Sequence, residues 1–220
     1  MVDEEEITKD EPFIPKTKLG KNVAEAKIAS IDEIFRQGEK IKEAGIVDKL
    51  LSLKSEIVWI GGSPGKGGGI RRTPTKRTSK MHGSGRRYKV SALVIVGNED
   101  GYLGIGKGSA NNHKAAIEKA TEKAKLNLIP VKRGCGSWEC GCGEPHSIAH
   151  QTEGKMGSVR VVLKPAPRGL GLCCSNEMKK IMTMAGIKDI RSKSYGQRKT
   201  RTNIIFATFN AFKNLNKIKV

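Results

Sequence analysis

From Gly61 to Lys89 this chain carries no acidic side chain, and across its 220 residues only 5% are aromatic. The first absence leaves a long stretch without any internal counter-charge. The second limits the apolar area available for burial and predicts modest cores, in two domains. No apolar run approaches the length that crosses a bilayer, and the opening Met-Val-Asp-Glu-Glu-Glu is acidic where a secretory signal would be basic. A cytoplasmic protein with no membrane partner is expected. Catalytic signatures are missing too. Gly62-Ser63-Pro64-Gly65-Lys66-Gly67 lacks the spacing of a Walker loop, and Gly104-Ile105-Gly106-Lys107-Gly108 lacks the last glycine of a dinucleotide fingerprint. His82, His113, His146 and His150 sit apart and form no catalytic constellation. The expectation is a non-enzyme.

What the chain has in excess is positive charge: 41 Lys and Arg against 22 Asp and Glu, a formal charge of +19. Such a charge opposes compaction unless a polyanion neutralises it, and nucleic acid is the expected partner. The cations are unevenly placed, with 9 between positions 61 and 89, and 15 against 2 acids from 155 onward. The first of these zones also holds ten Gly and Pro residues, too few apolar groups to fold alone, and reads as a long loop that orders on RNA.

Local patterns place the elements. Residues 1–29 show little periodicity and read as an extended or mobile lead-in. Ser30 and Glu33 fit a capping box that opens a helix of about four turns, stopped at Gly45. Glu56 to Ile60 reads as a short strand. The β-branched run Val90–Val96, the turn-forming Asn98-Glu99-Asp100-Gly101 and the glycines beyond it read as a hairpin. It delivers a glycine-rich turn to a helix from about Asn112 to Asn127, whose apolar stripe is Ala116, Ala120 and Ala124. Backbone amides of the Gly104–Lys107 turn could meet phosphate there. A side chain at Gly106 would then impair assembly and leave the isolated fold largely intact. Strands follow at about Leu128–Arg133, Ser147–Thr152 and Ser158–Lys164. Next come a helix from Ser175 with Met178, Ile181, Met182 and Ala185 on one face, a strand at Ile187–Tyr195, and a last helix capped by Asn203.

Five cysteines in a cytoplasmic chain suggest metal ligands or buried thiols, not disulfides. Cys135, Cys140, Cys142 and His146 lie within twelve residues as Cys-x4-Cys-x-Cys-x3-His, and Gly136, Gly141 and Gly143 permit the tight turns of a short knuckle. One structural zinc is the expected cofactor. The spacing departs from paired Cys-x2-Cys, and His150 could replace His146. Cys173 and Cys174 read as buried small residues.

Several segments together carry a resemblance: Arg-Arg-Tyr-Lys-Val-Ser-Ala-Leu-Val-Ile-Val-Gly (86–97), Gly-Ile-Gly-Lys-Gly (104–108), Lys-Leu-Asn-Leu-Ile-Pro-Val (125–131), Leu-Lys-Pro-Ala-Pro-Arg-Gly (163–169), Met-Ala-Gly-Ile-Lys-Asp-Ile (184–190) and Phe-Ala-Thr-Phe-Asn-Ala (206–211). In order, from about Ile28 to Phe212, the chain resembles the universal small-subunit ribosomal protein S five family, in its archaeal form. The resemblance implies an α+β fold. Residues 30–128 would form a double-stranded-RNA-binding-like α-β-β-β-α domain with the basic loop 61–89. Residues 129–220 would form a two-layer α/β domain of three strands, helix, strand and helix, with a left-handed β-α-β crossover and the Cys/His loop 135–146. Residues 1–29 would be an N-terminal extension.

It further implies a structural role in the small ribosomal subunit: binding small-subunit ribosomal RNA, supporting decoding accuracy and lining the messenger RNA entry path. Ribosomal proteins S four and S eight would be neighbours, with S three nearby. Carried onto this chain, the RNA-binding side chains would be Lys66, Arg71, Arg72, Lys76, Arg77, Lys80, Arg86 and Arg87 of the loop, then Lys107, Arg168, Lys193, Arg198, Lys199 and Arg201. Arginine suits the role because its planar fork meets phosphate bidentately.

Overall fold

The computed structural model describes residues 14–217; the first thirteen residues of the lead-in expected at 1–29 and the last three positions lie outside the described residues. The chain divides into two units, one ending at Leu51 and the other starting at Ser52. In the first, three short helices follow one another: α1 (Lys18–Ala24), α2 (Ile31–Gln37) and α3 (Ala44–Leu50). Three expectations change here. The lead-in contains α1, capped by Thr17, whose side chain accepts from the Gly20 amide. The single long helix is two helices, because Gly38 adopts a left-handed φ of 71° and ends α2. Gly45 lies inside α3 instead of stopping a helix.

The second unit opens with β1 (Lys54–Ile57), then β2 (Gly61–Pro64), β3 (Ile70–Thr73), β4 (Thr75–His82), β5 (Gly85–Gly97) and β6 (Tyr102–Ala110). The basic stretch is therefore not a loop. It is two antiparallel ribbons, β2 with β3 and β4 with β5, because alternating Thr, Arg and Lys tolerate extended backbone and the Gly83-Ser84 turn closes the second ribbon. Helix α4 (His113–Leu126) and β7 (Leu128–Pro130) complete the first sheet, ordered β1-β5-β6-β7 with β4 also on β5. The strand expected at Leu128–Arg133 thus belongs largely to the first sheet, as β7 paired with β6.

From Val90 onward β5 is buried on both faces. Val90, Ala92, Val94 and Val96 pack with Ala116, Ala120 and Ala124 of α4, while Leu93 and Ile95 join the larger core on the opposite side. Gly104, Gly106 and Gly108 form no turn. They lie within β6 directly beneath α4, opposite Val96, Val94 and Ala92. A Cβ on Gly106 would overlap the Ala120 carbonyl and the Ala124 amide, so the glycines let the helix sit down on the strand. The phosphate-facing role expected for this segment gives way to packing.

Beyond a short pair, β8 (Arg133–Gly134) with β9 (Ser147–Ile148), come β10 (Thr152–Met156), β11 (Val159–Pro165), β12 (Leu172–Cys173), α5 (Asn176–Met184), β13 (Ile190–Tyr195) and α6 (Arg201–Lys217). From β10 onward this is three strands, helix, strand, helix, with strand order β10-β11-β13-β12. β12 runs parallel to β13 with α5 between them. Met178, Ile181 and Met182 of α5 are buried as their spacing predicts. Asn203 is not the cap of α6 but lies in its first turn. Gly154 repeats the β6 device, since a Cβ there would overlap Ala207 and Ala211 of α6. Leu93, Ile105, Val161, Met182, Ile205 and Phe212 belong to one continuous core that joins both sheets.

Candidate nucleic-acid interface and metal centre

The β4–β5 ribbon extends beyond α4, and its exposed residues run from Lys76 to Lys89. Cross-strand partners share a face. Lys80 stands opposite Arg87 and Thr78 opposite Lys89, so with Lys76 one face is wholly cationic and polar. The other face carries Arg77, Met81, Arg86 and Tyr88, and the Arg77 guanidinium lies 3.6 Å from the centre of the Tyr88 ring. That contact sets an arginine guanidinium over an exposed aromatic ring. On the smaller ribbon Arg71 and Arg72 of β3 are exposed, with Lys66 in its turn. Among the described residues none of these cations has an ion-pair partner, so their charge faces outward. At the ribbon's root the Thr75 hydroxyl lies 2.7 Å from His113 Nδ1, fastening β4 to the start of α4.

The remaining sequence candidates do not all join this surface. Lys107 is exposed on β6, and Lys193, Arg198 and Lys199 are exposed on and after β13. Arg168 is exposed but paired with Glu144 at 3.1 Å. Arg201 is engaged inside the fold: its guanidinium donates to the Trp59 carbonyl at 2.7 Å and pairs with Glu177 at 2.9 Å, joining α5 to α6. No local pattern signals that arrangement, because Trp59 and Glu177 are distant in the chain from Arg201.

The four candidate metal ligands converge. Ligand atoms of Cys135, Cys140, Cys142 and His146 all lie within 4.8 Å of one another. Cys140 Sγ is 3.3 Å from Cys142 Sγ, Cys142 Sγ is 3.6 Å from Cys135 Sγ, and Cys140 Sγ is 3.9 Å from His146 Nε2. A tetrahedral ion with metal–sulfur distances of about 2.3 Å separates its ligands by about 3.8 Å, so this group could hold a metal. The Arg168 and Cys142 amides, aimed at Cys140, pull its thiol down to about 6, toward the thiolate a metal requires. Burial pushes Cys174 up to about 11, in keeping with an inert thiol. Cys173 is exposed, against the buried position expected of it.

His146, not His150, completes the group. Its side chain is 5% exposed, and its Nδ1 lies 3.0 Å from Oδ2 of Asp189, itself 6% exposed. The Lys188 and Asp189 amides donate to the His146 carbonyl at 3.0 and 3.1 Å. Asp189 is the residue that sequence reasoning missed: nothing in its local pattern connects it to a histidine more than forty positions earlier. Glu139 likewise anchors the knuckle to β13, with its carboxylate 2.9 Å from Arg191. Trp138, beside it, is 92% exposed.

Comparison with known proteins matches the two halves of the second unit. Residues 74–132 match the family model for ribosomal protein S5, N-terminal domain, and residues 154–220 that for the C-terminal domain. Similar proteins include small ribosomal subunit protein uS5 of Nanoarchaeum equitans, 46% identical over 96% of this chain and 90% of the relative. That of Thermofilum pendens is 46% identical over 90% of this chain and 92% of the relative. That of Methanocorpusculum labreanum is 44% identical over 96% of both. Two domain models matched in order and archaeal relatives aligned across nearly the whole length place this chain in the ribosomal protein S5 family.

Proposed function

We infer that this protein is a structural, non-enzymatic constituent of the small ribosomal subunit that binds small-subunit ribosomal RNA. The observation that carries this reading is the pair of exposed ribbons with cations on both faces and no acid among them. A two-faced cationic ribbon can enter a cleft between RNA backbones and neutralise phosphate on each side, releasing counterions from both. Lys66, Arg71, Arg72, Lys76, Arg77, Lys80, Arg86 and Arg87 are the contacts proposed there, while Lys107, Lys193, Arg198 and Lys199 extend the basic surface. The finer assignments rest on family membership: neighbours S four and S eight with S three nearby, a place beside incoming messenger RNA, a contribution to decoding accuracy, and cytoplasmic location within the ribosome. Among the described residues no helix is long and apolar enough to cross a membrane.

In the same reading Cys135, Cys140, Cys142 and His146 hold one zinc ion, supported by three sulfurs and one imidazole at near-tetrahedral separations. Four protein ligands leave no open position, so the ion would cross-link a glycine-rich knuckle and supply no catalysis. The experiment is sucrose-gradient sedimentation of a tagged full-length chain expressed in an archaeal host. Cosedimentation with the small subunit is expected, and a free monodisperse species would instead favour a stand-alone RNA-binding module.

A further inference from the structure

The loop between β11 and β12 carries Arg168 and is held from one side by the cysteine knuckle. The Ala166 amide donates to Ser147 Oγ at 3.2 Å, and Ser147 directly follows the ligand His146. The Arg168 guanidinium pairs with Glu144, between two ligands in the chain, at 3.1 Å. At the far end of the loop the Gly171 amide donates to Asp189 Oδ1 at 2.8 Å, while Asp189 Oδ2 lies 3.0 Å from His146 Nδ1 but out of line for a hydrogen bond, leaving that buried nitrogen without a partner. One buried carboxylate therefore holds the loop's last turn and stands beside an imidazole nitrogen that still needs an acceptor.

We propose that Asp189 is the outer-sphere partner of the bound metal, and that metal binding through it fixes the Pro165–Gly171 loop and so the position of Arg168. The inference rests on the zinc reading above. Its chemistry is directional. With the ring lined up on the ion, the nearby carboxylate accepts from His146 Nδ1–H, which leaves Nε2 as the lone-pair donor to the ion and stops the ring turning. In the other tautomer Nε2 carries the proton and cannot ligate. Asp189→Asn is the incisive change, because the Gly171 amide must still meet an oxygen. That orients the new Nδ2 amide toward the imidazole, and a donor facing Nδ1 enforces the wrong tautomer at nearly unchanged volume. The knuckle and the loop thus form one unit in which metal occupancy sets how Arg168 is offered to RNA.

The test uses full-length protein, stripped of metal under reducing conditions and titrated with cobalt(II), alongside hydrogen exchange at the Arg168 and Gly171 amides. Wild type is expected to develop thiolate-to-cobalt charge-transfer absorption, and both amides should exchange more slowly with metal than without. Asp189→Asn is expected to weaken cobalt binding by about 10- to 100-fold, the usual cost of losing an outer-sphere partner. If cobalt binds wild type with three-thiolate absorption but Asp189→Asn binds equally well, the inference falls and the zinc reading survives. If wild type binds no cobalt, both fall. Should the variant not fold by circular dichroism, exchange in wild type decides alone: amides indifferent to metal would overturn the coupling.

Discussion

The basic ribbon from Gly61 to Lys89 and the cysteine knuckle from Gly134 to Ser147 are both glycine-rich and lie in the same unit, yet they are solved in opposite ways. In the ribbon, Gly67, Gly68, Gly69, Gly83 and Gly85 face open space, and among the described residues no cation finds an acid. In the knuckle, Gly136 presses against Ala149 so closely that a Cβ would overlap its carbonyl, while Glu139 and Glu144 pair with Arg191 and Arg168. The knuckle answers its charges and its backbone inside the molecule and needs only an ion. The ribbon pairs its backbone strand to strand but leaves its charges unanswered, so its partner is another molecule. Glycine content alone does not separate the two; the placement of acids does.

The sharpest break in that comparison comes from glycines that carry tertiary packing. Gly106→Val drives two methyls and a Cβ into the α4 backbone and should cost about 4 kcal/mol or more, enough to abolish cooperative unfolding in a urea titration. Gly67→Ala at the ribbon's tip should stay within about 0.5 kcal/mol in the same assay. A stable Gly106→Val protein would show that the contact of α4 with β6 can relax.

Metal removal comes next. At a hundredfold excess of free metal over Kd, binding adds about 2.7 kcal/mol to stability, or about 5 to 11 °C in Tm for a chain of this size. A chelator should lower Tm by that amount, and elemental analysis should find about one zinc per chain, lost in Cys140→Ser. Native protein free of zinc would make the knuckle an ordinary reduced loop.

Removing Arg71, Arg72, Arg86 and Arg87 together should do the reverse, leaving Tm nearly unchanged while flattening the salt dependence of RNA binding. If each contacts one phosphate, the slope of log affinity against log salt should fall by about 3 to 4. An unchanged slope would move the RNA interface elsewhere. The smallest expected effect is that of Tyr88→Ala, which frees the Arg77 guanidinium. It should weaken RNA binding by about 1 kcal/mol or less, measured by filter binding at fixed salt.

Much of this was legible in the residues. Val90 to Val96 announced a strand by β-branching, and Ala116, Ala120 and Ala124 announced the α4 face by spacing, because these periodicities are local consequences of backbone geometry. The acid-free composition announced a polyanion partner for the same reason: charge adds up without regard to fold. Misreadings arose where one residue type serves two ends. Gly104, Gly106 and Gly108 looked like a phosphate-binding turn, because a missing side chain admits a helix as readily as an anion. The sequence pattern sets the helix stop at Gly45, but the left-handed φ of Gly38 ends α2 there.

Contiguous residues encode the elements of the hairpin, the basic surface, the family and the four metal-ligand candidates. Tertiary structure alone decided which histidine completes the knuckle, that Arg201 turns inward to Glu177 and Trp59, and that Asp189 stands behind His146. Those pairings join positions far apart in the chain. Their distances depend on how β13 is laid beside β11 and how α6 returns over β10, and no local pattern encodes that placement.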